Sequence, residues 1–292
     1  LPCQSKKPQA EAQTQTKIQQ QGINMSQAKT MAITGSASGI GAATRSILES
    51  QGCQIIGIDL KDAEIIADLS AHQGRDQAIA ELTQKCEGKL DGLVTAAGIG
   101  QPNDPAKILS INYFGTVAFL EQLRGLLAAA DGVSKAVAIS SNSTTTVPNI
   151  PQELIDACLG GDEADALALL DSYGGNDQNF AYAGGKTAVA HYVRRNAPTE
   201  GWAGSGIRLN AIAPGATLTP LLQAGLDSEV YGPLIKDFPV PTGGFGTAQQ
   251  VATWICHMLS DDADFLCGSV IFVDGGTDAL VRPDAWPKTY AM

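Results

Sequence analysis

The sequence predicts an α/β fold of the doubly wound kind: one parallel sheet of about seven strands, helices on both faces, in a single domain. Three observations predict it. Short apolar runs alternate with longer helical stretches from Thr30 onward. The first run ends in a glycine-rich turn, Thr34–Gly41, that opens a helix. The second run closes on an acid, Asp59.

The elements follow in order. Lys29–Ile33 is short and apolar and reads as the first strand, with a helix over Ala42–Ser50 after the turn. Gln54–Ile58, rich in isoleucine, is the second strand, because β-branched side chains suit a pleated surface. Ala78, Ile79 and Leu82 fall at helical spacing inside Arg75–Cys86. Gly92–Thr95 is a strand, Ile108–Ala129 a helix, Ala136–Ile139 a strand and Ala181–Asn196 a helix. Ile207–Ile212, the helix Thr247–Leu259 and the strand Ser269–Val273 complete the series. Apolar runs separated by helical spans argue for parallel strands joined by crossovers.

One segment breaks this rhythm. About forty residues separate Ile139 from Tyr182, where a short loop would suffice. Leu154, Ile155, Cys158 and Leu159 lie at helical spacing before the stop signal Gly160-Gly161. Asp162 is placed to cap a second helix carrying Leu167, Leu169 and Leu170. Residues 149–175 therefore read as a helix–turn–helix insertion, either a lid over a site or a packing and interface element. Residues 1–24 are Gln-rich with few large apolar groups and no signal-peptide core, so they read as a disordered extension. Met25 is the expected natural start, and residues 25–292 form the domain.

Composition narrows the function. Hydrophobic residues make up 44% of the 292 residues, as in globular chains. The net charge of −11 and the lack of a basic run argue against nucleic acid. No apolar run approaches the ~20 residues of a spanning helix, so no membrane role is expected. The six cysteines form no CxxC pair, and the three histidines are ungrouped. No metal site is expected, and isolated thiols suit a reducing, cytoplasmic setting.

The turn Thr34-Gly35-Ser36-Ala37-Ser38-Gly39-Ile40-Gly41 lies between a strand and a helix. Backbone N–H groups and a helix N-terminus there can receive a pyrophosphate. Its GxxxGxG spacing differs from the plain GxGxxG pattern. Asp59, at the end of the second strand, can accept hydrogen bonds from ribose hydroxyls and repel a 2′-phosphate, which favours NAD. Lys61 nearby is a weak counter-argument, and an ordinary strand-end acid is the plain alternative. Tyr182 and Lys186 stand four residues apart, hence on one helix face. An ammonium beside a phenol lowers its pKa and makes it a usable acid/base. A lone Tyr-x-x-x-Lys is a weak signal, but here Ser140-Ser141 closes a strand upstream, at the sheet edge where such folds hold ligands.

Together the glycine turn, Asp59, Asp68-Leu69, Ala96-Ala97-Gly98, Asn112, Ser141, Tyr182-Ala183-Gly184-Gly185-Lys186 and Pro214-Gly215 resemble, in order, the short-chain dehydrogenase/reductase family from about Lys29 to Gly276. The segments from Gly41 to Ser70, Gly206 to Leu226 and Asp274 to Pro287 resemble its bacterial 3α-hydroxysteroid dehydrogenase/carbonyl reductase branch, which also has a long segment before its tyrosine. The likeness weakens at Gly100–Lys107 and through the insertion. Coniferyl-alcohol dehydrogenases look like a more distant match. The usual asparagine of the Asn-Ala-Gly triplet is absent, since the segment reads Thr95-Ala96-Ala97-Gly98.

The resemblance implies a Rossmann-type fold and an NAD(H)-dependent interconversion of secondary alcohol and ketone. By it, Tyr182 exchanges the proton, Lys186 lowers the tyrosine pKa and binds the nicotinamide ribose, and Ser141 polarises the carbonyl. Asn112 would hold a water linking Lys186 to solvent, with a plain helix asparagine as the rival reading. Gly35, Ser38, Gly39, Ile40, Gly41, Ala97 and Gly98 would line the cofactor, Asp68 and Leu69 flank the adenine, and Thr217 and Thr219, after Pro214-Gly215, hold the carboxamide. The expected partner is a small hydrophobic alcohol or ketone, and the expected assembly a homodimer or homotetramer. The alternatives are an aromatic, coniferyl-type alcohol dehydrogenase and a non-catalytic NAD-binding sensor.

Overall fold

Alternation of side chains along each strand builds two cores, one on each side of a single sheet. In β1 (Thr30–Thr34), Met31 and Ile33 enter one core while Ala32 enters the other. The same split recurs in β2 (Gln54–Asp59) and β4 (Gly92–Thr95): Ile55 and Val94 face one way, Ile56 and Leu93 the other. β3 (Ile65–Ile66), β5 (Ser134–Ile139), β6 (Ile207–Pro214) and β9 (Val270–Val273) complete the sheet. This computed structural model describes residues 28–285, so the expected extension over residues 1–24 lies outside the described residues.

All seven strands pair in parallel, in the order β3-β2-β1-β4-β5-β6-β9. The chain first winds outward from β1 to β3, then returns to β4 on the other side of β1. The order therefore reverses between β1 and β4, and the crevice for a ligand opens at their C-terminal ends. A minor two-stranded ribbon, β7 (Thr217–Leu218) with β8 (Gly246–Thr247), lies beside the main sheet.

The helices are α1 (Gly39–Ser50), α2 (His72–Lys85), α3 (Pro105–Leu109), α4 (Thr116–Gln122) and α5 (Arg124–Ala128) in the first half. The second half holds α6 (Ser143–Thr146), α7 (Gln152–Gly160), α8 (Glu163–Leu170), α9 (Asp177–Asn196), α10 (Pro220–Leu226), α11 (Tyr231–Lys236), α12 (Ala248–Leu259) and α13 (Thr277–Val281). α1 and α12 cover one face, where Leu48, Val251, Ile255 and Met258 meet the strand residues. α2, α4, α7 and α9 contribute to the larger core on the other face. No described helix is long and apolar enough to cross a membrane.

The helix read over Ile108–Ala129 is interrupted. Ser110–Gly115 winds as a π-helical turn between α3 and α4, a distortion often found at functional sites. The insertion holds two helices. Gly161, at φ 83°, ends α7 in the left-handed region that glycine adopts without a Cβ penalty. Asp162 Oδ1 then accepts from Asp165 N at 3.1 Å and caps α8.

The apolar faces of α7 and α8 do not hang over the crevice. Leu154, Ile155, Cys158, Ala166 and Leu170 are buried in the larger core. Leu154 sits where a Cβ on Gly184 of α9 would approach it to 2.8 Å, so that glycine lets α7 pack directly on the helix. Arg75 of α2, itself buried, donates to Glu163 Oε2 at 2.7 Å and ties α8 to the domain. These contacts are those of a packing element.

Candidate active site

The turn after β1 is shaped by contacts that exclude side chains. Gly35 has φ 70°, and a Cβ on it would lie 2.7 Å from Ala97 Cα, in the segment after β4. A Cβ on Gly41 would lie 2.0 Å from the Gly35 carbonyl oxygen. Both glycines are thus required for α1 to start hard against the strand switch point. Ser38 is the N-cap of α1, its side chain makes no capping bond, and it is exposed. Ile40 is partly buried behind it. The N-terminal N–H groups of α1 face the crevice with a partial positive charge.

Asp59 ends β2 beside this turn. Its Oδ2 accepts from Ala37 N at 2.9 Å and its Oδ1 from Leu60 N at 2.7 Å. A carboxylate has about four lone-pair sites, so acceptor capacity remains for ribose hydroxyls. Asp68 Oδ1 accepts from Ser70 N at 2.9 Å, and hydrogen bonds from Ser70 hold its carboxyl below the usual carboxylate range. Leu69 beside it is buried against Gly115.

The segment after β4, which reads Thr95-Ala96-Ala97-Gly98, is held by side chains from elsewhere in the chain. Ala97 N donates to Thr34 Oγ1 at 3.1 Å. Asn112, fully buried in the π-helical turn, clasps the next residue: its Nδ2 donates to Ile99 O at 2.9 Å and its Oδ1 accepts from Ile99 N at 3.0 Å. These two bonds use one amide hydrogen and one oxygen lone pair, so the second of each remains for a water. A Cβ on Gly98 would lie 3.0 Å from Asn112 Oδ1 and 3.6 Å from Lys186 Nζ, so these three residues converge.

Ser140 and Ser141 follow β5. Ser140 Oγ donates to the Lys186 carbonyl oxygen at 2.9 Å and so fixes α9 to the strand end. Ser141 Oγ accepts from Ser143 N at 3.1 Å, and the Ser141 side chain is hydrogen-bonded to Tyr182. One turn along α9, Lys186 Nζ donates to the Ile139 carbonyl oxygen at 2.8 Å and lies 6.0 Å from the Tyr182 ring centroid.

Electrostatics differs from the sequence expectation in one respect. Burial pushes the Tyr182 phenol up, and the Ser141 hydrogen bond is the influence that lowers it. The lysine does not dominate because burial works on it too, pushing the Lys186 ammonium down to about 8. Between that value and the ordinary 10.5, the unfolded chain binds the proton more tightly than the folded one. Lys186 should therefore contribute stability that rises with pH across this window, against the opposite contribution above pH 9 from buried thiols such as Cys158 and Cys256, which burial pushes up. Lys186→Met should lack this rise. Melting curves of both proteins from pH 8 to 10 test it, and parallel pH dependences would reject the assignment.

The opposite wall comes from the loop after β6. A Cβ on Gly215, next to Pro214, would lie 2.7 Å from Asp274 Cα. Thr217 Oγ1 donates to Gly215 O at 2.9 Å. Thr219 Oγ1 donates to Thr217 O at 3.2 Å and accepts from Leu222 N at 3.3 Å as the N-cap of α10. Its methyl group would lie 3.3 Å from a Cβ on Gly39, so this loop reaches the glycine turn. The structure thus groups the residues around one crevice. The left-handed glycine turn, the helix N-terminus and the strand-end acid fit a dinucleotide.

A family model described as enoyl-(acyl carrier protein) reductase matches residues 162–278. The chain is 43% identical over 252 residues to the 3-alpha-hydroxysteroid dehydrogenase/carbonyl reductase of Comamonas testosteroni, across 86% of this chain and 97% of that protein. It is 28% identical over 257 residues to a coniferyl-alcohol dehydrogenase of a Pseudomonas species, across 85% and 96% of the two chains. The crystal structure of 3-alpha-hydroxysteroid dehydrogenase from Pseudomonas sp. B-0831, complexed with NADH, matches with a TM-score of 0.83 at 42% identity. That match covers 88% of this chain and 100% of the other.

Proposed function

The chain belongs to the short-chain dehydrogenase/reductase family, whose members act on alcohol and ketone groups, and from that premise we propose that it uses NAD(H) to interconvert a hydroxysteroid and its ketone. The observation that carries the reading is the hydrogen-bonded Ser141–Tyr182 pair, one helical turn from Lys186, at the strand edge beside the glycine turn.

The nicotinamide, when bound, supplies or takes the hydride. Gly35, Ser38, Gly39, Ile40 and Gly41 receive the pyrophosphate side of the cofactor, and Asp59 the adenine ribose. Asp68 and Leu69 flank the adenine, while Pro214, Gly215, Thr217 and Thr219 close on the nicotinamide end. Ala97 and Gly98 form the floor, held by the bond of Thr34 to Ala97 and those of Asn112 to the next residue, Ile99. Ser141 orients the substrate oxygen towards Tyr182, which donates the proton in reduction and removes it in oxidation. Lys186 places positive charge beneath that exchange and reaches the nicotinamide ribose. Asn112 acts by fixing the backbone at Ile99.

The test is initial-rate turnover of a 3α-hydroxysteroid and a coniferyl-type alcohol with NAD and NADP, followed by the absorbance of the reduced nicotinamide. Faster oxidation of the aromatic alcohol would favour the coniferyl-type reading, and binding of NAD without any turnover would favour a sensor. Asp59→Ala should erode the preference for NAD, because the charge that repels a 2′-phosphate is gone. Faster wild-type turnover with NADP at equal concentration would overturn the NAD assignment.

We also propose a cytoplasmic homo-oligomer. Because α7 packs on α9 at Gly184, pairing of α9 with its twin in a second subunit is obstructed, and assembly through another face is expected. Light scattering of wild type reads the subunit number, and a monomer would reject the assembly.

A further inference from the structure

Ser141 takes its orientation from the short helix that follows it. Its Oγ accepts from the N–H of Ser143, the first residue of α6, and its carbonyl oxygen accepts from Thr144 Oγ1 at 2.9 Å. α6 is four residues long, a single turn, and a helix that short has little stability of its own. Its placement therefore depends on what holds it from outside.

The hold comes from α13, at the other end of the domain's sequence. Thr145 Oγ1 donates to Asp278 Oδ1 at 2.7 Å, across 133 residues, and lies 3.1 Å from Asn142 O. Asp278 is itself fixed. Arg282 donates to its carboxylate through both Nε and Nη2 and sits over the Phe272 ring, 5.5 Å from the centroid. Asp278 N donates to Oδ2 of the buried Asp274 at 2.7 Å, and Gly276 N donates to Asp274 Oδ1 at 3.0 Å. Asp274 is also the residue on which Gly215 packs, so one anchor supports both α13 and the loop proposed to close on the nicotinamide. Asn142 N donates to Pro214 O at 3.0 Å, and Gly215 N to Val273 O at 3.1 Å, which joins the two sides.

We propose that Thr145 and Asp278 are positioning residues, and that their hydrogen bond holds α6, and through it the Ser141 hydroxyl, in register with the Pro214-Gly215 loop. This rests on the proposed function, in which Ser141 orients the substrate oxygen. Arg282 already neutralises Asp278, so the threonine is not needed to satisfy the acid. What the bond adds is the placement of α6 against α13. A misplacement of about 1 Å can lower a rate by about 10²-fold, so a smaller shift of Ser141 is enough to be read in kcat.

The experiment compares wild type, Thr145→Val, Thr145→Ser and Asp278→Ala, each alone and combined with Ser141→Ala. Thr145→Val keeps the shape and removes the hydroxyl, and Thr145→Ser keeps the hydroxyl. Asp278→Ala removes the acceptor and keeps the backbone N–H that Asp274 accepts. Each protein is assayed for NADH-dependent reduction of a 3-ketosteroid and of cyclohexanone. NAD Kd is measured by calorimetry, and folding is checked by melting temperature. Thr145→Val and Asp278→Ala are expected to lower kcat about tenfold for both ketones with NAD Kd unchanged, and Thr145→Ser to restore it. In the Ser141→Ala background the same changes should lower kcat no further, because the bond acts through that hydroxyl. An unchanged kcat in both variants of an active enzyme would overturn the positioning role and leave the proposed function standing. So would an equal fall with and without Ser141, since that is the result of a merely structural bond. A wild type that binds NAD and reduces neither ketone would overturn the proposed activity, and the positioning of Ser141 with it.

Discussion

Tyr182→Phe is expected to lower kcat/KM by roughly 10²–10⁴-fold, the range of a general acid/base, while the dinucleotide Kd stays near that of wild type. The substitution keeps the partly buried ring and removes only the hydroxyl. It leaves no buried orphan, because Ser141 Oγ still accepts from Ser143 N. Any large loss is therefore chemical rather than structural, and an unchanged melting temperature should accompany it. The raised phenol adds a pH signature. The neutral form, ready to donate, prevails near neutrality, so ketone reduction needs no deprotonation. Alcohol oxidation needs the proton removed, so its rate should climb as the pH becomes alkaline. Near-normal turnover in Tyr182→Phe would remove Tyr182 from the proposed mechanism.

Much of this arrangement could be read from the sequence because local spacing encodes it. The glycine turn, Asp59 and the Tyr182–Lys186 pair are each defined by a few neighbouring residues on one element. Six of the seven sheet strands stood out as apolar runs. The seventh, Ile65–Ile66, is two residues long and exists only because it pairs with Ile58 and Asp59. Boundaries shifted for similar reasons. α9 begins at Asp177 rather than Ala181, since its first turn is polar and carries no apolar period. The π-helical turn at Ser110–Gly115 was averaged away within one apolar stretch.

What the sequence hid depends on partners far along the chain. Thr34 supports Ala97 across 63 residues, and no local spacing records that its hydroxyl accepts from the Ala97 N–H. Tyr231 meets Gln178 across 53 residues, and α10 and α11 went unassigned because each is only a turn or two long. The lysine influence on Tyr182 was argued from spacing alone, whereas burial, a tertiary property, sets the direction for both groups.

Replacing 149–175 with a short Gly/Ser linker is expected to unfold the domain rather than to alter KM according to substrate size. A lid would bury little in its closed state and could be removed without loss of the core. Here Leu154 and Cys158 are completely buried and Leu170 is 2% exposed, all within the core that also holds α9. Full burial of each large aliphatic side chain contributes about 1.5–3 kcal/mol. Excision of several takes much of the roughly 5–15 kcal/mol by which a domain is stable. It also strands Arg75, whose buried guanidinium bonds Glu163. Loss of one partner in such a pair is destabilising by about 3–5 kcal/mol. A milder probe separates packing from gating. Leu154→Ala opens a cavity beside Gly184 and should reduce stability by about 2–5 kcal/mol in denaturant unfolding. Its effect on KM should be alike for large and small ketones, because Leu154 faces the core. An excised chain that keeps its melting temperature and loses affinity only for bulky ketones would reject this account and restore the lid.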